Sequence, residues 1–447
     1  MADVFFYDAL TTGDADGTTW EDAYQDLQTA IDALASGDVL RCKGGTITLT
    51  ARIDFDNSND NEIVGGYDTS LTGTTVPTTR DLPADITILD GVDTYRCMYV
   101  TQQHTIDGFK CINGYSSSIG GSYIYVTSGT VTLRNCIFTD NNAANGGAFY
   151  KLGAGTLVAE DCTFDDNSAT SDAGAFVISA CTANISDCTF DGNHSNSGKA
   201  ACSVTSAGTL NFTDCKFTDN TTGGYYGGCI GSGSSTSAIN CVRVRIDGTV
   251  NSSAYGGAAQ FSNASSSWIN CILSNNTCNY GAGVYISGGT HSFTNCIIAD
   301  NDADNDAAAI RNTGSATTTL ENCVVWGNRV GAAINNFANA ATLTVTYSDV
   351  EQSSGTYTGT GNVNDDPNFV GTGDNPYSFS TTSECIDSGN AGATDYPSTD
   401  ILGNSRVDVT TVTNTGAGTP DYSDMGAYEY QPPVTDVDVY GAILLGY

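Results

Sequence analysis

Thr130-Val131-Thr132-Leu133-Arg134-Asn135-Cys136-Ile137-Phe138-Thr139-Asp140-Asn141 is the stretch whose reading decides the fold. Val131, Leu133, Cys136 and Phe138 are apolar, Thr132, Arg134 and Ile137 separate them, and the alternation slips once, at Asn135. Period-2 alternation with β-branched and aromatic residues is a strand signal, and no helical spacing runs through it. An Asx between two strand segments enters the left-handed region at low cost, so the chain bends there while Leu133 and Cys136 both face inward.

Outward from this stretch the pattern repeats. Cysteines stand at Cys111, Cys136, Cys162, Cys188, Cys215, Cys241, Cys271, Cys296 and Cys323, and each after the first follows an Asn or Asp. Two positions after the cysteine come Phe138, Phe164, Phe190, Phe217, Leu273, Ile298 and Val325; five after it come Asn141, Asn167, Asn193, Asn220, Asn276, Asn301 and Asn328. A fixed period of this size marks a solenoid, whose repeats bury their apolar faces only by stacking. Small-residue clusters such as Gly146-Gly147-Ala148-Phe149 and Gly281-Ala282-Gly283-Val284 begin the second half of each repeat, where the backbone turns tightly. Each coil therefore has at least three short strands and three bends. The fold expected is all-β, a parallel β-helix whose coils lie about 4.8 Å apart.

The cysteine column reads as buried free thiols, because stacked residues keep their Cβ atoms a strand spacing apart, too far for a disulfide. Cys202 and Cys229, at equal offsets from Cys188 and Cys215, are the better pair for a bond. The pattern disfavours zinc: there is no C-x-x-C pair and the chain has 3 histidines.

Residues 1–45 read as a strand and a capping helix, since Ala23, Leu27, Ala30, Ile31 and Leu34 have helical spacing over Glu21 to Leu34 and Gly37 lies beyond. Residues 46–350 form the β-helix, 351–430 a β-rich C-terminal module and 431–447 a tail strand. One coil departs from the pattern. Val242-Arg243-Val244-Arg245-Ile246 puts Arg243 where a phenylalanine is due, which predicts a register change turning Val242, Val244 and Ile246 inward and both arginines out.

Four stretches of the C-terminal module recur in a known order: Asp366-Pro367-Asn368-Phe369, Cys385-Ile386-Asp387-Ser388-Gly389, Asp400-Ile401-Leu402-Gly403-Asn404-Ser405-Arg406 and Asp424-Met425-Gly426-Ala427-Tyr428-Glu429. They resemble the C-terminal module of bacterial surface β-helix proteins with a choice-of-anchor Q domain, and Asp14 to Tyr24 is similar to the start of those proteins. The G-G-A and F-x-x-N units resemble repeats of chlamydial polymorphic outer membrane proteins. The resemblance implies a right-handed β-helix, secreted or at the cell surface.

With 15 Lys and Arg against 50 Asp and Glu the net charge is −35. Such a surface repels nucleic acid and anionic polysaccharide and suits cations. Arg243 and Arg245, near Asp219 and Asp247, are the catalytic candidates. Asp300, Asp302, Asp304 and Asp306 set oxygens at alternate positions and are candidate calcium ligands, although Asn305 and Arg311 stand where an EF-hand needs Gly and Glu. Tyr123, Tyr125, Tyr225, Tyr226, Tyr255, Tyr280 and Tyr285 can line one face for sugar stacking, or stack between coils. The tail is too short to span a membrane. Its Val437, Val439, Tyr440, Ile443, Leu444 and Leu445 suit a strand donated to a second copy, giving a homo-oligomer or a filament. Three functions stay open: a non-catalytic extracellular structural or adhesive rod that self-assembles head to tail, a protein that binds or cleaves polysaccharide, and a viral tail fibre. The first is preferred, because the acids recur at bends coil after coil.

Overall fold

The computed structural model describes residues 3–6, 13–55, 60–101, 103–117, 124–126, 129–225, 227–252 and 255–433. The candidate assembly residues Val437, Val439, Tyr440, Ile443, Leu444 and Leu445 lie outside them, as do Tyr123 and Tyr226. Strands of successive coils pair in parallel into four long sheets, lettered here by decreasing strand number: A with 13 strands, B with 12, C with 11 and D with 10. One coil runs through Val131–Arg134 in A, Ile137–Thr139 in B, Asn142–Asn145 in D and Phe149–Leu152 in C. The chain is a parallel β-helix, as its period predicts.

The bends explain the Asx columns. Between A and B, Asn135, Asp161, Asp187, Asp214, Arg243, Asn270, Asn295 and Asn322 all have φ between +50° and +55°. Asn and Asp tolerate that conformation better than other side chains. Where a cysteine follows the bend, its thiol donates to the carbonyl two residues back, at 3.1 Å from Cys136 Sγ to Arg134 O and from Cys188 Sγ to Ser186 O. Ser348 ends the column with the same bond, to Thr346 O at 2.8 Å.

Inside B the phenylalanines stack. Ring centroids are 4.7 Å apart for Phe138 and Phe164, 4.8 Å for Phe164 and Phe190, and 4.4 Å for Phe190 and Phe217. Beside them runs a buried asparagine ladder, in which each Nδ2 donates to the Oδ1 of the next coil: 2.8 Å from Asn141 to Asn167, 3.1 Å to Asn193 and 3.0 Å to Asn220. The ladder is interrupted at Thr249, whose buried Oγ1 has no partner, and resumes through Asn276, Asn301 and Asn328.

Two of the nine cysteines leave the column that equal spacing predicts. Cys111 sits among the aromatic positions, opposite Phe138, and Cys241 sits on A, opposite Phe212 and Trp268. Longer turns between Thr222 and Ala238 bring Cys241 to the sheet early. Arg243 then takes the bend, Val244 the thiol's place and Ile246 the aromatic place. Val242, expected inward, is half-exposed on A. The same insertion sets Cys202 opposite Ile230 and not Cys229, and both thiols are free and buried.

At the N-terminal end the helix is shorter than its spacing suggests. Helix α1 is Leu27–Asp32, with Asp26 Oδ1 accepting from Thr29 N at 2.8 Å. Tyr24 instead pairs with the first strand, its N–H on Phe5 O. Trp20 is buried on the outer face of A between Phe5 and Tyr67.

The C-terminal segment is a correction of another kind. Among the described residues no strand follows Asp349–Val350, only isolated bridges. The segment lies along the outer face of B. The outward column of that sheet reads Thr163, Thr189, Lys216, Arg245 and then Ile272, Ile297, Val324, changing from polar to apolar where the segment covers it. Phe379, Ile386, Met425 and Tyr428 pack on those three residues. The bend column changes in step, from Asp to Asn. A carboxylate only accepts, whereas the amides of Asn270, Asn295 and Asn322 donate to Thr399 O at 2.7 Å, Asp424 O at 3.0 Å and Asn390 O at 2.9 Å.

Candidate functional site

Where the docked segment stops, its leading edge and the open part of sheet B enclose a cleft of about 380 Å³. Its floor holds Lys216, Arg245 and Ile272 from the outward column, and its far wall Pro376, Tyr377 and Ile401 from the segment. Of the sequence candidates, Arg243, Arg245 and Asp247 line it, while Asp219 does not. Asp219 turns the preceding coil, and its carboxylate leans over Gly248, where a Cβ would come 2.7 Å from Oδ1.

Arg243, Arg245, Asp247 and Tyr377 are each held by a partner, while Lys216 is exposed on the floor. Arg243 makes a two-pronged ion pair with Asp214, Nε to Oδ1 and Nη2 to Oδ2, both at 2.6 Å, and that bond raises its already high pKa. The pairing also fixes an arginine in a left-handed bend, a conformation that non-Asx residues avoid. Arg245 reaches across to the segment, donating to Asp374 O at 3.2 Å and Asn375 Oδ1 at 2.9 Å, with its guanidinium 5.8 Å from the Tyr428 ring. Asp247 Oδ1 accepts from Ser274 Oγ at 2.7 Å and Asn275 Nδ2 at 2.8 Å. Tyr377 donates its hydroxyl to Asp300 Oδ2 at 3.0 Å, and burial followed by the Asp300 charge pushes that hydroxyl far above its usual range. Three of the eight basic residues between Cys111 and Val350 meet here.

The result is an apolar wall facing fixed donors and acceptors, the usual composition of a small-ligand site. Sequence reasoning picked the two arginines and Asp247 but missed Lys216, Tyr377, Pro376 and Ile401. The signal that could have found them was the change from polar and charged residues to Ile and Val after Arg245 in the outward column, which marks where another segment must lie.

The calcium candidates are placed apart in role. Asp300 turns a bend and holds Tyr377, Asp302–Asp306 is a strand of D with Asp302 and Asp304 pointing to solvent, and Asp306 Oδ2 lies 3.6 Å from Arg311 Nε. Among the described residues no group of three or more His, Cys, Asp or Glu is arranged to hold a metal. Tyr225, Tyr255, Tyr280 and Tyr285 do form a row, with centroids 4.5 to 5.2 Å apart along it and Arg311 over three of the rings. The rings follow one another from coil to coil, with Tyr225 exposed at one end of the row. No helix among the described residues is long and apolar enough to cross a membrane.

Residues 87–243 match the family described as "Right handed beta helix region". No curated protein matches the chain. The crystal structure of pectate lyase Pel9A is similar to it with a TM-score of 0.43 and 13% identity, over 96% of this chain and 97% of that one. The solenoid described above is a right-handed parallel β-helix.

Proposed function

We propose that the protein is a non-catalytic, extracellular adhesive rod that binds an uncharged polysaccharide at the cleft between sheet B and the C-terminal segment. The observation that carries this reading is the meeting of an apolar wall, Pro376, Tyr377 and Ile401, with charged groups that are already engaged: Arg243 ion-paired with Asp214, and Asp247 hydrogen-bonded by Ser274 and Asn275. Sugar rings offer apolar faces and hydroxyl edges, which such a surface serves at little ordering cost. A polyanion is disfavoured by the charge of −35.

Adhesion is preferred to cleavage because Arg245 is committed to Asp374 and Asn375, and Asp247 to Ser274 and Asn275, so neither is free to move a proton. The test is a panel of neutral polysaccharides assayed both for binding and for release of soluble oligosaccharide. Expected are binding to at least one member, a loss of roughly tenfold in Tyr377→Ala as the wall it forms is removed, and no release. Oligosaccharide release that disappears in Arg245→Ala overturns the non-catalytic reading, and binding by no member overturns the glycan reading.

A further inference from the structure

A second cleft, of about 360 Å³, opens on the same outer face of sheet B at its N-terminal side. It is walled by Leu82 and Ile86 of the loop that carries helix α2 (Leu82–Asp85), and Lys110 and Ile137 lie beneath them. Lys110, Ile137, Thr163, Thr189, Lys216 and Arg245 are consecutive members of one in-register outward column. The two clefts are thus the two ends of a single face. From Ile137 to Arg245 there are five coils, and four spacings of about 4.8 Å make roughly 19 Å of floor between the walls.

We infer that this whole face is one binding site for a linear, uncharged polysaccharide lying parallel to the rod axis, with about one sugar ring per coil. The inference rests on the glycan reading above and extends it to chain class, direction and length. Three features support it. First, the floor repeats at the coil spacing, which is close to the length of one ring in an extended chain. Second, the middle offers hydroxyls for hydrogen bonding, Thr163 and Thr189 with their Oγ1 atoms 3.3 Å apart, where both ends of the face offer apolar walls. Third, the charges favour no charged chain. Asp165 and Asp191 stand side by side along the middle, where burial and neighbouring carboxylates already raise the pKa of Asp165, and they oppose a polyanion. Basic and acidic groups sit together at both ends, Lys110 with Asp161 at one and Lys216 and Arg245 with Asp214 and Asp247 at the other, so neither end selects a chain of one charge sign. An uncharged chain meets only donors and acceptors.

The experiment is isothermal titration of the full chain with β-1,4-linked glucose, xylose and mannose oligomers of two to eight units. For the series that binds, affinity is expected to rise roughly fivefold per added sugar, the worth of one net hydrogen bond, and to level off near five units. In Lys110→Ala, with an unchanged thermal melt confirming the fold, the octamer is expected to lose its advantage over the trimer. Affinity independent of length, or a length dependence untouched by Lys110→Ala, overturns the extended site while leaving a glycan cleft at Tyr377. Binding of no oligomer in any series overturns both.

Discussion

Asn193→Ala deletes one rung of the interior ladder, and its cost can be worked from the geometry. Asn193 is fully buried and makes four side-chain bonds: Nδ2 donates to Phe164 O at 2.9 Å and Asn220 Oδ1 at 3.0 Å, and Oδ1 accepts from Asn167 N at 3.2 Å and Asn167 Nδ2 at 3.1 Å. At a net of about 1 kcal/mol each, with Phe164 O left without its side-chain donor, the loss comes to about 4 kcal/mol. The control is built into the same molecule. Asn211 sits in a second asparagine ladder, on the outer face of A, receiving 2.8 Å from Asn240 Nδ2 and giving 2.8 Å to Asn184 Oδ1. Because water can replace those bonds, Asn211→Ala should change stability by no more than about 0.5 kcal/mol. Urea unfolding of both variants measures the difference. Amide exchange of the flanking strands accompanies it, since a solenoid can open coil by coil. Equal effects for the two variants would refute the claim that burial, and not the ladder geometry, gives the interior column its stabilising role.

Other outcomes follow from single residues. Thr249→Asn restores the missing rung and should raise stability by about 1 kcal/mol, seen as a higher urea midpoint. His291 is buried, with Nδ1 on Ser266 Oγ and Nε2 on Gly288 O, and burial lowers its pKa to about 4. The unfolded chain then binds a proton below pH 6.5 that the native chain refuses, so stability falls as pH drops from 6.5 toward 4, by up to about 3 kcal/mol. Subtracting the profile of His291→Gln from that of the wild type should isolate this slope, and a flat difference contradicts it. Ile297→Asp puts a carboxylate under the docked segment, which should make residues beyond Val350 sensitive to protease while the rod stays resistant.

Much of this was legible in the chain. The Asx bends, the phenylalanine stack and the asparagine ladder each follow from side chains that recur at one period, because an in-register solenoid turns sequence spacing into spatial stacking. Register was misjudged where coil length changes: counting cysteines placed Cys111 and Cys241 in the thiol column, although the turns decide which residue arrives there. Helix α1 starts only after Gln25 because Tyr24 pairs with the first strand, a tertiary contact that outweighs helical spacing. The C-terminal segment was hardest to read, since Arg245 meets Asn375 only through the folded rod. Its footprint was nevertheless written in the polar-to-apolar and Asp-to-Asn changes along two columns. For the site, the arginines stood out as bulky exceptions to a repeat, whereas Tyr377 belongs to no repeat and gave no periodic signal.

The most direct measurement of the central claim is a crystal structure of the full chain soaked with the longest neutral oligomer that binds it. The account predicts sugar density along sheet B over Thr163 and Thr189 and ending against Tyr377. Density on the tyrosine row at Tyr225 and Tyr255, with sheet B bare, would contradict it.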